Sequence, residues 1–122
     1  IFLLDEPKRI RKKIARAVTD SDGDIVFDPQ RPGVYNLLGI YQALSGQERP
    51  AIEAHFAGKG YGDLKRDLSD LVIASLEPLQ ERYRRLEADP GYLDNILHQS
   101  AQRLAPIVDD TMNRVRQAMG LR

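Results

Sequence analysis

Lys59, Tyr61 and Lys65 are the residues whose types and spacing could do chemistry together. They surround the run Gly58-Lys59-Gly60-Tyr61-Gly62, where three glycines in five residues permit positive φ angles or close approach of another backbone. Lys59 sits on the loop, Tyr61 near its tip, and Lys65 one turn into the helix expected to follow. A flexible loop that carries a ring between two cations can hold an unstacked base and its phosphate. Stacking of this kind is worth roughly 1–3 kcal/mol per base, and single-stranded RNA loops are recognised through such contacts. The same residues also suit a tight turn between helices, with Tyr61 packed on the core and both lysines solvated. Spacing alone leaves both readings open.

Other chemistry is sparse. His55 and His98 lie far apart, and neither has a metal-ligand neighbour pattern such as H-x-x-x-H, so each reads as a helix-surface histidine. The glycine run matches neither the G-x-x-x-x-G-K-[ST] phosphate loop nor the G-x-G-x-x-G fingerprint, and no G-x-S-x-G elbow is present. Asp20-Ser21-Asp22-Gly23-Asp24 resembles a calcium loop at first sight. Counted from Asp20, however, position six is Ile25 and position twelve is Arg31, where glycine and glutamate are needed. These carboxylates are better suited to turns and helix caps. The absence of cysteine excludes disulfides and thiolate zinc sites and fits a reducing cytoplasm. No catalytic set, metal site or cofactor is therefore expected in this chain.

The longest apolar runs, Ile1 to Leu4 and Leu71 to Ala74, are far shorter than the ~20 residues of a membrane helix. The formal net charge is zero, yet it is unevenly spread. Lys8, Arg9, Arg11, Lys12, Lys13 and Arg16 crowd the first 18 residues, whereas Asp20, Asp22, Asp24 and Asp28 follow with no base among them. A neutral total does not exclude a nucleic-acid partner, because local fields decide encounter. The basic face of residues 8–16 is either a nucleic-acid-facing surface or a solvated one.

The elements that must position these residues are helical. Asp5-Glu6-Pro7 opens a first helix, with proline tolerated in its first turn, and Ile10, Ile14 and Val18 give it an apolar stripe. Residues 19–33 form a loop in which Ile25-Val26-Phe27 could make one short strand. Leu37, Leu38, Tyr41 and Leu44 mark a second helix over 34–44, ended by Ser45-Gly46. Pro50 starts a third, through Ile52 and Phe56. A long helix runs from Asp63 to about Ala88 and a last one from Pro90 to Met119, with Pro78 and Pro106 expected to kink them. Their stripes are Leu64, Leu68, Leu71, Val72, Leu79, Tyr83 and Leu86, then Leu93, Ile96, Leu97, Leu104, Val108, Met112, Val115 and Met119. The expectation is an all-α bundle of about five helices, two of them long and Pro-kinked, with at most one short β segment.

Read as a whole, the chain resembles the C-terminal helical region of bacterial-type tryptophanyl-tRNA synthetases. The matching strings are IFLLDEP (1–7), KKIARAVTDSDG (12–23), PGVYNLLGIYQALSG (32–46), GKGYGDLKRDL (58–68), LEPLQERYRRL (76–86) and QAMGL (117–121). The resemblance implies that residues 1–6 are the joint to a Rossmann-type catalytic domain and 7–122 an anticodon-binding domain. It implies a full enzyme that activates tryptophan with ATP and Mg, charges tRNA and works in the cytoplasm as a homodimer. The HIGH- and KMSKS-like signatures of that activity are absent here, so this piece alone is expected to be inactive. It further implies that Lys59, Tyr61, Lys65, Gly33 and Asn36 face the anticodon: the lysines on phosphate, Tyr61 stacked on a base and Asn36 hydrogen-bonding. The alternative is a bracing and coupling role toward the catalytic domain, with little RNA contact.

Overall fold

Pro7 begins the first helix, α1 (Pro7–Ala15), with its fixed φ at a position whose amide needs no partner. Ile10 and Ile14, one turn apart, are 1% and 4% exposed and turn that face into the core. Val18 does not extend the stripe. The helix ends at Ala15, the chain turns, and Val18 is 84% exposed. Beneath α1 lies Asp5, a carboxylate only 4% exposed. It accepts from the Phe2 amide at 2.8 Å and from the Lys13 ammonium, with Arg9 at 3.3 Å. A buried carboxylate is tolerated only when so paired, which ties the segment before α1 to the helix itself.

The computed structural model describes residues 1–121, and helices are its only regular elements. α2 (Pro32–Ser45) buries Val34, Leu37 and Leu38 and stops at Gly46, whose φ of +67° is the left-handed cap that glycine adopts without strain. α3 (Arg49–Phe56) contributes Ile52 and Phe56. α4 (Tyr61–Glu87) starts two residues before the expected Asp63. The reason is local: the Asp63 carboxylate folds back to the Gly60 amide at 3.2 Å, while the Gly60 carbonyl receives the Asp63 and Leu64 amides. α5 (Pro90–Ala118) opens on Asp89, whose side chain accepts from the Tyr92 amide at 3.0 Å. Pro78 and Pro106 both lie inside continuous helices.

The five helices agree with the all-α expectation; the short strand does not form. Ile25 is buried, but the Phe27 amide donates to the Glu53 carboxylate at 2.7 Å, so the backbone finds a side chain instead of a second strand. The chain divides after Glu81 into two compact units. In the first, Ile10, Leu38, Ile52, Phe56, Leu64 and Leu68 make the centre of one core. In the second, α5 buries nothing, and its apolar stripe is exposed from Leu93 to Met119. The residues of α4 that follow the same period divide likewise: Leu64, Leu68 and Val72 are buried, Leu79 and Tyr83 exposed.

Gly33 has a steric role at the start of α2. A Cβ there would sit 2.3 Å from the Val18 carbonyl oxygen. Gly39, in the interior of the same helix, faces open space. Gly33→Ala should therefore destabilise by about 1–3 kcal/mol through backbone displacement. Gly39→Ala should stabilise by about 0.5–1 kcal/mol through helix propensity. Urea unfolding midpoints that move in opposite directions are the expected outcome.

Candidate nucleic-acid interface

The glycine break begins where α3 ends. Gly58 takes a φ of +73°, and the Lys59 amide closes the turn on the Phe56 carbonyl at 2.9 Å. The exposed Lys59 side chain folds back along α3, its ammonium 3.3 Å from His55 Nε2 and 5.4 Å from the Phe56 ring centre. His55 Nε2 also lies 3.1 Å from the Asp67 carboxylate, and its ring stacks on Tyr41 at 6.4 Å. Lys59 thus keeps a solvent-facing cation anchored at one side of the break.

Tyr61 is turned inward. Its half-buried ring packs against the core, and its phenol donates to the Asp20 carboxylate. The same oxygen accepts from the Arg31 guanidinium and from the Gly23 amide at 3.1 Å. Arg31 in turn grips both Asp20 oxygens at 2.9 Å and the Asp24 carbonyl at 2.9 Å. These bonds hold Asp20 far below the usual carboxylate range, first through Arg31 and then through Tyr61. The Tyr61 phenol is pushed up by burial and by its bond to Asp20, which keeps it protonated. With its oxygens so occupied, Asp20 holds the loop together through Arg31 and Tyr61.

Lys65 also points at the protein. Its ammonium donates to the Ala17 carbonyl at 2.8 Å and reaches the Ala15 carbonyl at 3.4 Å, placing a cation at the negative end of α1. Of the two readings of the glycine break, Tyr61 matches the packed one, while Lys65 is half-buried and turned to backbone carbonyls. Gly33 lies against the Val18 carbonyl and Asn36 is exposed on α2. Arg31, the residue before α2, links that helix to Tyr61. Sequence reasoning passed over Arg31, although it is the first base after an acidic loop that carries four aspartates.

The comparisons with known proteins agree on one class. A model of the tRNA synthetases class I (W and Y) matches residues 1–77. The chain therefore belongs to the class I tRNA synthetases of the tryptophan and tyrosine type. It is 46% identical over 121 residues to a tryptophan–tRNA ligase of Helicobacter pylori, covering 99% of this chain and 36% of that protein. It is also 46% identical over 119 residues to one of Gloeobacter violaceus, covering 98% and 35%. A crystal structure of tryptophanyl-tRNA synthetase from Mycoplasma pneumoniae superposes over the whole chain, at 27% identity and a TM-score of 0.69, and 38% of that chain is covered. All three of these relatives are tryptophan–tRNA ligases, and the chain spans little more than a third of their length.

Two outcomes follow from the geometry. Lys65→Ala should lower stability by about 1 kcal/mol, because two carbonyls at the end of α1 lose their cation; urea unfolding reads this directly. Acid should weaken the fold through Asp20 and Asp5, both held below their ordinary values. For a depressed carboxylate the stabilisation is present above the unfolded value, near 4, and is lost as pH falls below it. Asp20→Asn should accordingly flatten the fall in unfolding midpoint between about pH 5 and pH 2.

Proposed function

We propose that this chain is the helical, tRNA-binding part of a tryptophan–tRNA ligase and that it contacts the anticodon region. The observation that carries the reading is 46% identity to such ligases over 99% of the chain. In this reading the complete enzyme activates tryptophan with ATP and Mg in a Rossmann-type domain and charges tRNA. It works as a homodimer in the cytoplasm. Residues 1–6 are the joint to that domain, and residues 7–122 bind RNA. This chain, which carries neither catalytic signature, does not activate tryptophan by itself.

The five candidate residues divide the work. Lys59 contacts a backbone phosphate, since its ammonium is exposed at the break, and Asn36 offers its amide to a base. Tyr61, Lys65 and Gly33 shape the surface by holding the 20–31 loop, the end of α1 and the start of α2. Any stacking by Tyr61 uses whatever ring area its core packing leaves open. The internal engagement of Tyr61 and Lys65 also favours the second reading, a domain that mainly braces and couples to the catalytic part.

Titration with the anticodon stem-loop of tryptophan tRNA separates the two. Under the first reading Lys59→Ala weakens binding about 5- to 30-fold, as for one charge-assisted contact, with helical content unchanged. Under the second, the stem-loop does not bind, and the chain instead associates tightly with the separately prepared catalytic domain.

A further inference from the structure

The six bases of the first 16 residues are not equivalent. Arg9 and Lys13 serve Asp5, and Arg11 pairs with Asp70 at 2.5 Å. Lys8, Lys12 and Arg16 have no partner among the described residues. These three recur every four residues. At 100° per residue they form one stripe on the side of α1 opposite the buried Ile10 and Ile14. Their backbone positions are about 6 Å apart along the axis and span about 12 Å. They line a surface hollow of 510 Å³ in which Glu6 is the only acid.

We infer that the Lys8–Lys12–Arg16 stripe is a second RNA contact, which holds successive phosphates of a stem backbone and reads no base. The inference rests on the proposed RNA-binding role but concerns a different element from the glycine break. Three features point to a nucleic-acid backbone. The cations are evenly spaced along a straight element, as consecutive phosphates are along a strand. The apolar side of α1 itself is used up in the core, so the helix has no apolar face of its own to lay into a lipid surface. The stripe also ends at the candidate interface, because Arg16 lies between the two residues whose carbonyls receive the Lys65 ammonium. An RNA stem seated on α1 would therefore present its adjoining loop near the first turn of α4.

The test is a salt titration of the chain with the tryptophan tRNA anticodon stem-loop and with the same stem closed by an abasic loop. Each phosphate contact contributes about 0.7–0.9 to the slope of log affinity against log salt. The triple substitution Lys8→Gln, Lys12→Gln, Arg16→Gln should reduce that slope by about 2 and weaken binding roughly 10- to 100-fold at low salt. The loss should be equal on both hairpins, because phosphate contacts carry no sequence information. Lys8→Arg with Lys12→Arg should retain the slope, and circular dichroism should show all variants equally helical. An unchanged slope in the triple variant overturns the stripe, and if Lys59→Ala still weakens the loop-dependent part, the proposed function stands. Absence of salt-dependent RNA binding by the unaltered chain overturns both. Dependence on the three bases in binding to phosphatidylserine vesicles, with RNA binding unaffected, overturns the stripe in favour of a membrane surface.

Discussion

A single phenol oxygen organises the first unit. Tyr61 donates to Asp20, accepts from Arg31 and accepts from the Gly23 amide, so one atom closes a loop that has no regular structure of its own. Arg31 completes the closure with the rigid fork of its guanidinium, reaching a carboxylate and a carbonyl that lie 11 and 7 residues earlier in the chain. Remove the phenol and the 20–31 segment keeps its own ion pair but loses its attachment to α4. The glycine break would then have no fixed partner across from it. The position of Lys59, on the near side of that break, depends on this attachment only indirectly, through the start of α4 at Tyr61.

The knot also relieves the repulsion among the aspartates of so acidic a loop. Asp20 is neutralised directly, and Asp22 lies 3.7 Å from the same guanidinium. The Asp22 amide further satisfies Asp20 at 3.0 Å. Because the carboxylate must be ionised and the phenol protonated for all of these bonds to coexist, the knot is at full strength near neutrality. The directions in which the two groups are shifted are those that widen this range.

Much of the fold was legible because its punctuation is chemical. Pro7, Pro32, Pro50 and Pro90 sit in first helical turns, and Gly46 takes the positive φ that ends α2. Apolar period then located Leu37, Leu38, Ile52, Phe56, Leu64 and Leu68 in the core. Period alone, however, states only that a face could be buried. α5 carries as regular a stripe as α4, yet every residue of it is exposed, and Val18 failed because the helix beneath it stopped. At the candidate site the unusual residues were visible, but their orientation was not. Tyr61 finds Asp20 across 41 positions and Lys65 finds Ala17 across 48. No local pattern signals that a loop residue will be turned inward by a partner so distant in sequence.

The charge arrangement of α1 carries a local electrostatic cost that the rest of the fold has to sustain. Lys8 with Lys12, and Lys12 with Arg16, are like charges one turn apart, a spacing that destabilises a helix by about 0.2–0.5 kcal/mol per pair. Opposite charges at these positions would remove the cost, and α1 shows that such pairing is available, since Arg9, Arg11 and Lys13 each meet an aspartate. Burial of Ile10 and Ile14 and the pairing of Asp5 hold the helix in place despite the repulsion. The stripe is thus a local penalty sustained by packing on the opposite face. A polyanion laid along it would turn the repulsion into attraction, which no group within the first unit does. Zero net charge in this chain therefore conceals a local cationic stripe, balanced by acids elsewhere, and that stripe is where an external anion gains most.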